Sequence, residues 1–589
     1  MTSLILSQAW HFQKPDHKVV DEIARASMMP QILARILYQR GIRTPEDAAR
    51  HMSPSLGSLN DPWTMEGMAE AVDRLVRAVA DREKVGVFGD YDADGVTSAS
   101  VVFLFLQEIG LDVTAYFPHR EHDGYGLNAE GIRILASRGC RLLITVDCGI
   151  SDSEEIALAR ELGIDVIVTD HHEPPDALPP AMAVLNPKRP DCRFPFKELA
   201  GVGVAFNLVR ALRHRLHDLG HWAGAEVPNL KAYLDLVAIG TVADMVPLTE
   251  DNRILARVGL EVMAQSPRPG VRALKLLCGL DSPPTAVDVA YRLAPRINAA
   301  GRMAHAGEAF RLLVTDDRQE ADELAQRLHG LNQERQSKEA SIFREAQAMV
   351  KSMGKRAAYV LSSPAWTQGV IGIVASKLME QLSKPVILIA SNGREAHGSG
   401  RSPEGLNLYE LIGACSGHLT AFGGHRAAAG LRLAPDAIDD FCRAFEQAAS
   451  SALEEADFAP VLEVDCPASL DELADPAFHR LYNMLEPFGA GYPSPLFAVR
   501  DFSVKRSAVV GKGHLKLTLA SPDLRGDACN GELDLIGWGH GDKVGLAWDE
   551  LELACVPILN VWQGRRRLEL RLRDARRKDP NERDTNWAY

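Results

Sequence analysis

Short apolar runs in the first half of this chain stop repeatedly at acids or histidines. Val85-Gly-Val-Phe-Gly89 runs into Asp90-Tyr-Asp-Ala-Asp-Gly95, and Leu142-Leu-Ile-Thr-Val146 into Asp147-Cys-Gly149. Val166-Ile-Val-Thr169 runs into Asp170-His-His172, and Ala238-Ile-Gly-Thr-Val-Ala243 into Asp244. Between such runs lie stretches with helical character, such as Ser98 to Ile109 and Ser153 to Leu162. This alternation predicts βαβ units and a parallel sheet from about residue 80 to 270. Parallel strands share one carboxyl edge, where open α/β sheets bind their ligands. Asp92, Asp94, Asp147, His171 and Asp244 are therefore expected to converge there. Acids so crowded repel one another unless a cation lies among them. Plain helix capping by Asp94-Gly95 ahead of Val96-Thr97-Ser98 is the alternative for the first cluster alone. Recurrence of the pattern favours a site.

The pattern changes along the chain. Residues 1–75 form a helical lead-in, with a turn-rich patch from Ser53 to Pro62, and the sheet-bearing domain spans 76–315. From 316 to 353 the chain is polar, with Leu324, Leu328 and Leu331 at helical spacing; this predicts one long helix joining two domains, its charges solvated and Gly330 a candidate kink. A second α/β domain over 354–456 has strands at Ala357–Leu361 and Pro385–Ala390 and a helix starting at Gly369. Its glycine-rich segments, Gly398-Ser-Gly-Arg-Ser402 and Phe422-Gly-Gly-His-Arg-Ala-Ala-Ala-Gly430, suit loops whose N–H groups close on an anion, or else tight turns. Arg401 and His425 would add charge or hydrogen bonds.

From 457 to 580 short alternating strands predict a small antiparallel barrel, followed by a tail over 581–589. Lys505, Arg506, Lys512, His514, Lys516 and Arg565 to Arg567 gather there with Trp538 and Trp562. Such a set suits single-stranded nucleic acid, through stacking and phosphate attraction. A solvated face with core tryptophans is the alternative.

Composition narrows the classes. The chain has 589 residues, enough for several domains, and a net charge of −14, which argues against a generally basic binder without excluding a local basic groove. Nine cysteines lack paired spacing, which fits a reducing cytoplasm and no zinc ribbon. Cys148 falls in a buried-strand pattern and is expected to be a small core residue. No apolar stretch is long enough for a membrane span, and the first residues do not resemble a signal peptide, so a cytoplasmic protein is expected.

Together, Asp90-Tyr-Asp-Ala-Asp-Gly95, Asp147-Cys-Gly149, Asp170-His-His172 and Asp244 resemble the ordered motifs of the DHH phosphoesterase superfamily. Gly423-Gly-His-Arg-Ala-Ala-Ala-Gly430 resembles the signature of the associated DHHA1 domain. Pro295-Arg-Ile-Asn-Ala-Ala-Gly-Arg302, Gly398-Ser-Gly-Arg-Ser402 and the carboxyl-terminal barrel narrow the resemblance to the RecJ family of single-strand-specific 5′→3′ DNA exonucleases. It implies an α/β fold: a DHH parallel sheet and a DHHA1 domain joined by a long helix, plus an OB-like barrel.

The resemblance also implies roles. Asp92 and Asp147, with Asp90, would hold one divalent ion; Asp94, His171 and Asp244 would hold another, with Asp147 bridging. His172 would face the scissile phosphate. Oxygen-rich ligands with one imidazole suit Mn²⁺ or Mg²⁺. Arg120 would contact phosphate, Ser399 and Arg401 the 5′ end, and Arg296, Asn298 and Arg302 a loop along the DNA path. Gly424 and His425 belong to the matching glycine-rich signature. The implied activity is two-metal hydrolysis releasing 5′-mononucleotides in DNA repair and recombination, with a helicase and a single-strand-binding protein as partners. The chain departs from the family pattern at Trp366-Thr367-Gln368 and Gly491-Tyr492-Pro493. A phosphodiesterase for very short or cyclic oligonucleotides and an inactive DNA-binding scaffold are rival readings. The extra barrel argues against the first, the full set of acids and histidines against the second.

Overall fold

Strands Lys84–Gly89, Asp112–Tyr116, Leu142–Val146, Asp165–Thr169 and Ala183–Leu185 form one all-parallel sheet. Asp112–Tyr116 and Ala183–Leu185 lie at its edges. The three central strands are buried almost throughout, as expected for a sheet covered on both faces. That is why their sequences are continuous apolar runs. Helices Ala129–Ser137 and Ser153–Glu161 cover one face through Ile132, Leu135, Ile156 and Ala159.

The computed structural model describes residues 9–120, 123–265, 268–281, 283–454, 461–521, 531–562 and 565–578; the side chains of 453–454, 559–562 and 565–567 are not described. It falls into two units, Leu56–Asp457 and a second made of Met1–Ser55 with Phe458–Tyr589. Among the described residues no helix is long and apolar enough to cross a membrane.

In the larger unit the parallel sheet ends at Leu185, and residues 201–314 are helical, not βαβ units as the sequence suggests up to about 270. Ala238-Ile-Gly-Thr-Val-Ala243 lies in helix Leu234–Ala243, every residue of which except Ala243 is buried. A helix enclosed on all sides is apolar all round, so its pattern matches that of a buried strand. Asp244 thus follows a helix end, not a strand end.

Helix Arg318–Met353 is continuous for 36 residues and passes through Gly330 without a break. Asp317 caps it by accepting from the N–H groups of Gln319 and Glu320. Its buried seam runs through Ala321, Ala325, Leu328 and Asn332, then Glu339, Ile342 and Ala346. The first half packs on helices between 269 and 314, the second on helix Gln368–Leu382 and strand Tyr359–Ser363.

Beyond it, five strands make a mixed sheet in the order Ala421–Gly424, Ala428–Leu433, Ala396–Arg401, Val386–Ser391, Tyr359–Ser363. The glycine-rich segments expected as anion-closing loops are therefore paired strands: Gly423 opposes Gly430, and Gly430 opposes Ser399. Some of their glycines serve packing: a Cβ at Gly398 would come within 2.5 Å of the Leu431 side chain, whereas Gly423 has open space beside it.

The smaller unit brings the chain's two ends together. Strand Ala9–Phe12 pairs in parallel with Val461–Val464. Ile23, Leu33, Ile36 and Leu37 from the first helices share one core with Phe478, Phe497, Leu517, Trp548 and Leu553. The helical lead-in is thus no separate body: residues up to Ser55 join the carboxyl-terminal unit, and those from Leu56 the larger one. Its seven-stranded sheet is mostly antiparallel, with Asp534–Ile536 parallel to Glu569–Arg571. Among the described residues no pairing joins its first and last strands into a closed ring. Trp538 is 56% exposed and meets the His514 ring at 4.4 Å, so it is not a core residue; Trp548 is. Lys505, Arg506 and Lys512 are exposed, whereas Lys516 pairs with Asp534 at 2.9 Å. The side chains of Trp562 and Arg565 to Arg567, and the tail over 581–589, lie outside the described residues. Tyr492 is absorbed locally: it stacks on Phe488, and its hydroxyl lies 2.7 Å from His51 Nε2.

Candidate active site

Asp90, Asp147 and Asp170 each stand immediately past a strand of the parallel sheet. Asp92 caps helix Ala93–Glu108, its Oδ1 accepting from Asp94 N–H at 2.9 Å and Gly95 N–H at 3.1 Å. Capping and clustering are not exclusive, because Asp90, Asp92 and Asp147 also bring ligand atoms within 4.8 Å of one another. Asp94, His171 and Asp244 do the same, as do Asp147, His171 and His172. His171 Nε2 lies 3.1 Å from Asp147 Oδ1 and 3.5 Å from Asp244 Oδ2. Asp94 is oriented by the start of helix Gly201–Asp218, accepting from Gly201 N–H at 2.7 Å and Val202 N–H at 2.9 Å. Asp147 adopts φ 61°. A left-handed conformation at a non-glycine residue costs about 1–2 kcal/mol and marks a position fixed by its surroundings.

Burial, with the charges of Asp94, Asp92, Asp244 and Asp90, pushes the Asp147 carboxyl well above the usual carboxylate range. Burial and Asp92 do the same to Asp90. Burial, then Asp92, takes Asp94 up to about 7; burial, then Asp94 and Asp92, takes Asp244 up to about 9. Burial and the neighbouring His172 lower His171 to about 3, leaving a neutral imidazole. For His172 burial acts against the charge, but its hydrogen bond to Asp170 and that residue's charge prevail and raise it to about 9.

Asp90 Oδ1, Asp147 Oδ1, Asp244 Oδ2 and His171 Nε2 are all buried without a hydrogen-bond partner. Buried polar atoms left unpaired are costly. Converging carboxylate oxygens with one neutral imidazole form the donor set of a hard divalent cation, so these residues fit Mn²⁺ or Mg²⁺.

A cavity of about 500 Å³ is lined by Arg120, Arg302, Arg401, Arg432 and Ser399, among others, and by no carboxylate among the described residues. Ser399 and Arg401 share one face of strand Ala396–Arg401, and Arg401 Nη1 donates to Ser399 Oγ at 3.1 Å. The helix above approaches closely because residue 372 is glycine; a Cβ there would lie 2.9 Å from Ser399 Oγ. Burial and the nearby Arg120 charge lower both Arg302, to about 10, and Arg401. Mutual repulsion of this kind is what an anion relieves.

The model of the DHH family, N-terminal domain, matches residues 84–241, that of the DHHA1 domain 352–451, and that of the RecJ OB domain 464–574. The chain is 38% identical over 574 residues to the single-stranded-DNA-specific exonuclease RecJ of Bacillus subtilis, covering 96% of this chain and 70% of that protein. It belongs to the RecJ family. The crystal structure of RecJ in complex with Mn²⁺ from Thermus thermophilus matches with a TM-score of 0.82 at 31% identity, over 97% of this chain and 80% of that one. The corresponding Mg²⁺ complex matches with a TM-score of 0.76 at 30% identity, over 97% and 79%.

Not every residue singled out from the RecJ resemblance reaches the cavity. Arg296, Asn298 and Arg302 lie on helix Ala294–Met303, not on a loop. Of the three only Arg302 lines the cavity, donating to Gly369 O at 3.1 Å. Asn298 Oδ1 accepts from Ala93 N–H at 2.8 Å, and Arg296 Nε reaches His329 Nδ1 at 3.1 Å. Gly424 and His425 sit at the turn between two strands, outside the cavity lining; Gly424 has φ 140°, where a Cβ would strike Ala428 and Ala429. Trp366, at the first departure from the RecJ pattern, is buried and donates to Glu345 at 2.8 Å.

Other residues of the site were given no role from the sequence. Asp170 is buried and accepts from His172 Nδ1 at 2.7 Å, from the N–H groups of His171 and His172, and from Ile150 N–H. Its place directly before the histidine pair was the available signal. Gly201 and Gly240 leave room for the acids: a Cβ at Gly201 would lie 2.7 Å from Asp147 Oδ1, and one at Gly240 2.8 Å from Asp94 Oδ1. Nothing in the local sequence marks these glycines.

Proposed function

We propose that this chain removes nucleotides one at a time from the 5′ end of single-stranded DNA, releasing 5′-mononucleotides, in DNA repair and recombination. The observation that carries this reading is a buried carboxylate–imidazole cluster in the same unit as a cavity lined by four arginines and, among the described residues, by no carboxylate. A phosphate held in the cavity presents the next phosphodiester to the cluster. Hydrolysis then counts from the end of the strand.

In this assignment Asp92 and Asp147, with Asp90, would hold one cation, and Asp94, His171 and Asp244 the other, with Asp147 serving both. Divalent ions held there would supply positive charge for in-line displacement at phosphorus. His172, kept protonated by Asp170, donates to the scissile phosphate. Asp94 is held in place by Gly201 and Val202, so its carboxylate needs no rearrangement on binding. Arg120, Arg302, Ser399 and Arg401 receive the 5′ phosphate. Asn298 and Arg296 act through the helix they stabilise, and Gly424 and His425 extend the path of the strand.

On this reading residues 76–315 hydrolyse, 354–456 hold the strand end, and 457–580, with exposed Lys505, Arg506, Lys512 and Trp538, add affinity for the following nucleotides. A helicase and a single-strand-binding protein in the cytoplasm would supply and protect the single strand. The test is digestion of 5′- and 3′-labelled single strands and of a blunt duplex with Mn²⁺. The 5′ label should leave first, as a mononucleotide, with the duplex resistant. Early release of the 3′ label, or equal digestion of the duplex, overturns the reading.

A further inference from the structure

Tyr125 belongs to both halves of the site. The residue lines the arginine cavity and is 54% exposed. Its hydroxyl, by contrast, reaches the acid cluster: it lies 3.2 and 3.4 Å from the two ring nitrogens of His172 and donates to the Asp147 carbonyl at 3.3 Å. The two rings meet edge-on, 5.8 Å apart at 75°. With its proton on the Asp147 carbonyl, the phenol turns its lone pairs toward the His172 ring, nearly equidistant from its two nitrogens, which leaves Nε2 to the scissile phosphate while Nδ1 is engaged by Asp170. A phenol keeps its proton at neutral pH.

The turn that presents Tyr125 is also pinned. Asp152 Oδ2 accepts from Leu127 N–H at 2.8 Å. Gly126 has φ 85°, and a Cβ there would lie 2.8 Å from the Asp152 carboxylate, so only glycine allows this approach. On the other side Tyr125 stands edge-on to Tyr91, and the Arg120 guanidinium lies over the Tyr91 ring at 4.9 Å. Arg120, Tyr91, Tyr125 and His172 thus form an unbroken line of contacts from cavity to cluster.

We infer that Tyr125 is a positioning residue that couples the phosphate cavity to His172. A phosphate on Arg120 fixes the Tyr125 ring, and its hydroxyl then fixes the His172 ring at the scissile phosphate. A strand ending in a 5′-hydroxyl leaves that line slack. Asp152 keeps the turn in place for either end. The inference rests on the roles proposed above for Arg120 and His172.

The experiment measures kcat and KM on 5′-phosphorylated and 5′-hydroxyl oligonucleotides for the wild type, Tyr125→Phe, Asp152→Ala and Asp152→Asn. A hydrogen bond to a charged group is worth about a tenfold change. Tyr125→Phe should lower kcat about tenfold on the phosphorylated strand with KM nearly unchanged, and bring the kcat ratio of the two ends close to one. Its affinity for the phosphorylated strand in EDTA should stay at the wild-type value. Asp152→Ala should show the same signature, and Asp152→Asn, whose amide oxygen still accepts from Leu127 N–H, should restore it. If Tyr125→Phe keeps kcat within about twofold and keeps the end preference, the coupling is wrong. A wild type that hydrolyses both ends with equal kcat also overturns it. A wild type that hydrolyses neither strand defeats the exonuclease reading itself.

Discussion

The acid cluster and the arginine cavity solve opposite electrostatic problems by different structural means. The acids sit just past strand and helix ends, where Asp147 is held at φ 61° and Asp94 by two helix N–H groups. Three of the cations stand on paired strands and a helix, and Arg120 on a turn; Ser399 and Arg401 project from alternate positions of one strand. Glycine has a different task in each. At Gly201 and Gly240 it makes room for carboxylates; at Gly372 it lets a helix approach the strand that bears Ser399 and Arg401. The cluster has its ligands preplaced, four of their atoms without a hydrogen-bond partner, while the cavity arginines retain long, adjustable side chains. Errors in the first should therefore remove chemistry, and errors in the second should weaken placement.

The harshest test of this contrast is Asp147→Ala. With its bridging oxygens gone, hydrolysis with Mn²⁺ should fall by about 10³-fold or more, and the Mn²⁺-induced rise in thermal midpoint should shrink. Gly201→Ala changes no ligand but places a methyl against Asp147 and Asp94; activity should fall about 100-fold, with a higher Mn²⁺ requirement, as overpacking displaces the acids. Arg401→Ala should instead raise KM about tenfold for a 5′-phosphorylated strand and barely change kcat at saturation. If Arg401→Ala mainly lowers kcat, the division between chemistry and placement fails. Trp538→Ala, in the smaller unit, should weaken binding of a long single strand about fivefold and leave a dinucleotide unaffected, as measured by fluorescence titration.

The parts of this site that the sequence revealed obey simple periodicity. Buried parallel strands must be apolar throughout, so Asp90, Asp147 and the Asp170-His171-His172 run stood out at their ends. Asp244 was recognised as an acid of the cluster but assigned to the wrong element, because a helix buried on every side carries the same apolar run as a strand. The glycine-rich strands were mistaken for loops for a related reason. Glycine is rare in strand interiors unless another group approaches closely, and the approaching groups, Leu431 at Gly398 and Ile387 at Gly400, stand on neighbouring strands. Joining of the first 55 residues to the carboxyl-terminal sheet is a contact across more than 400 positions, for which no local pattern exists. Tyr125 and Gly201 were invisible because their importance lies in what stands opposite them.

Helix Arg318–Met353 keeps a single seam from Ala321 to Ala346, seated on helices in its first half and on the second sheet's elements in its last. It works as a phase-locked shaft. One residue inserted near Gly330 would turn everything beyond it by about 100° and advance it by about 1.5 Å. Ile342 and Ala346 would leave their seats, and Ser399 and Arg401 would swing with them. Substitution at Gly330, where a side chain meets open space, leaves that phase intact. Over evolutionary time this stretch should therefore change its letters freely and its length almost never, except by steps of about seven or eleven residues that restore the seam.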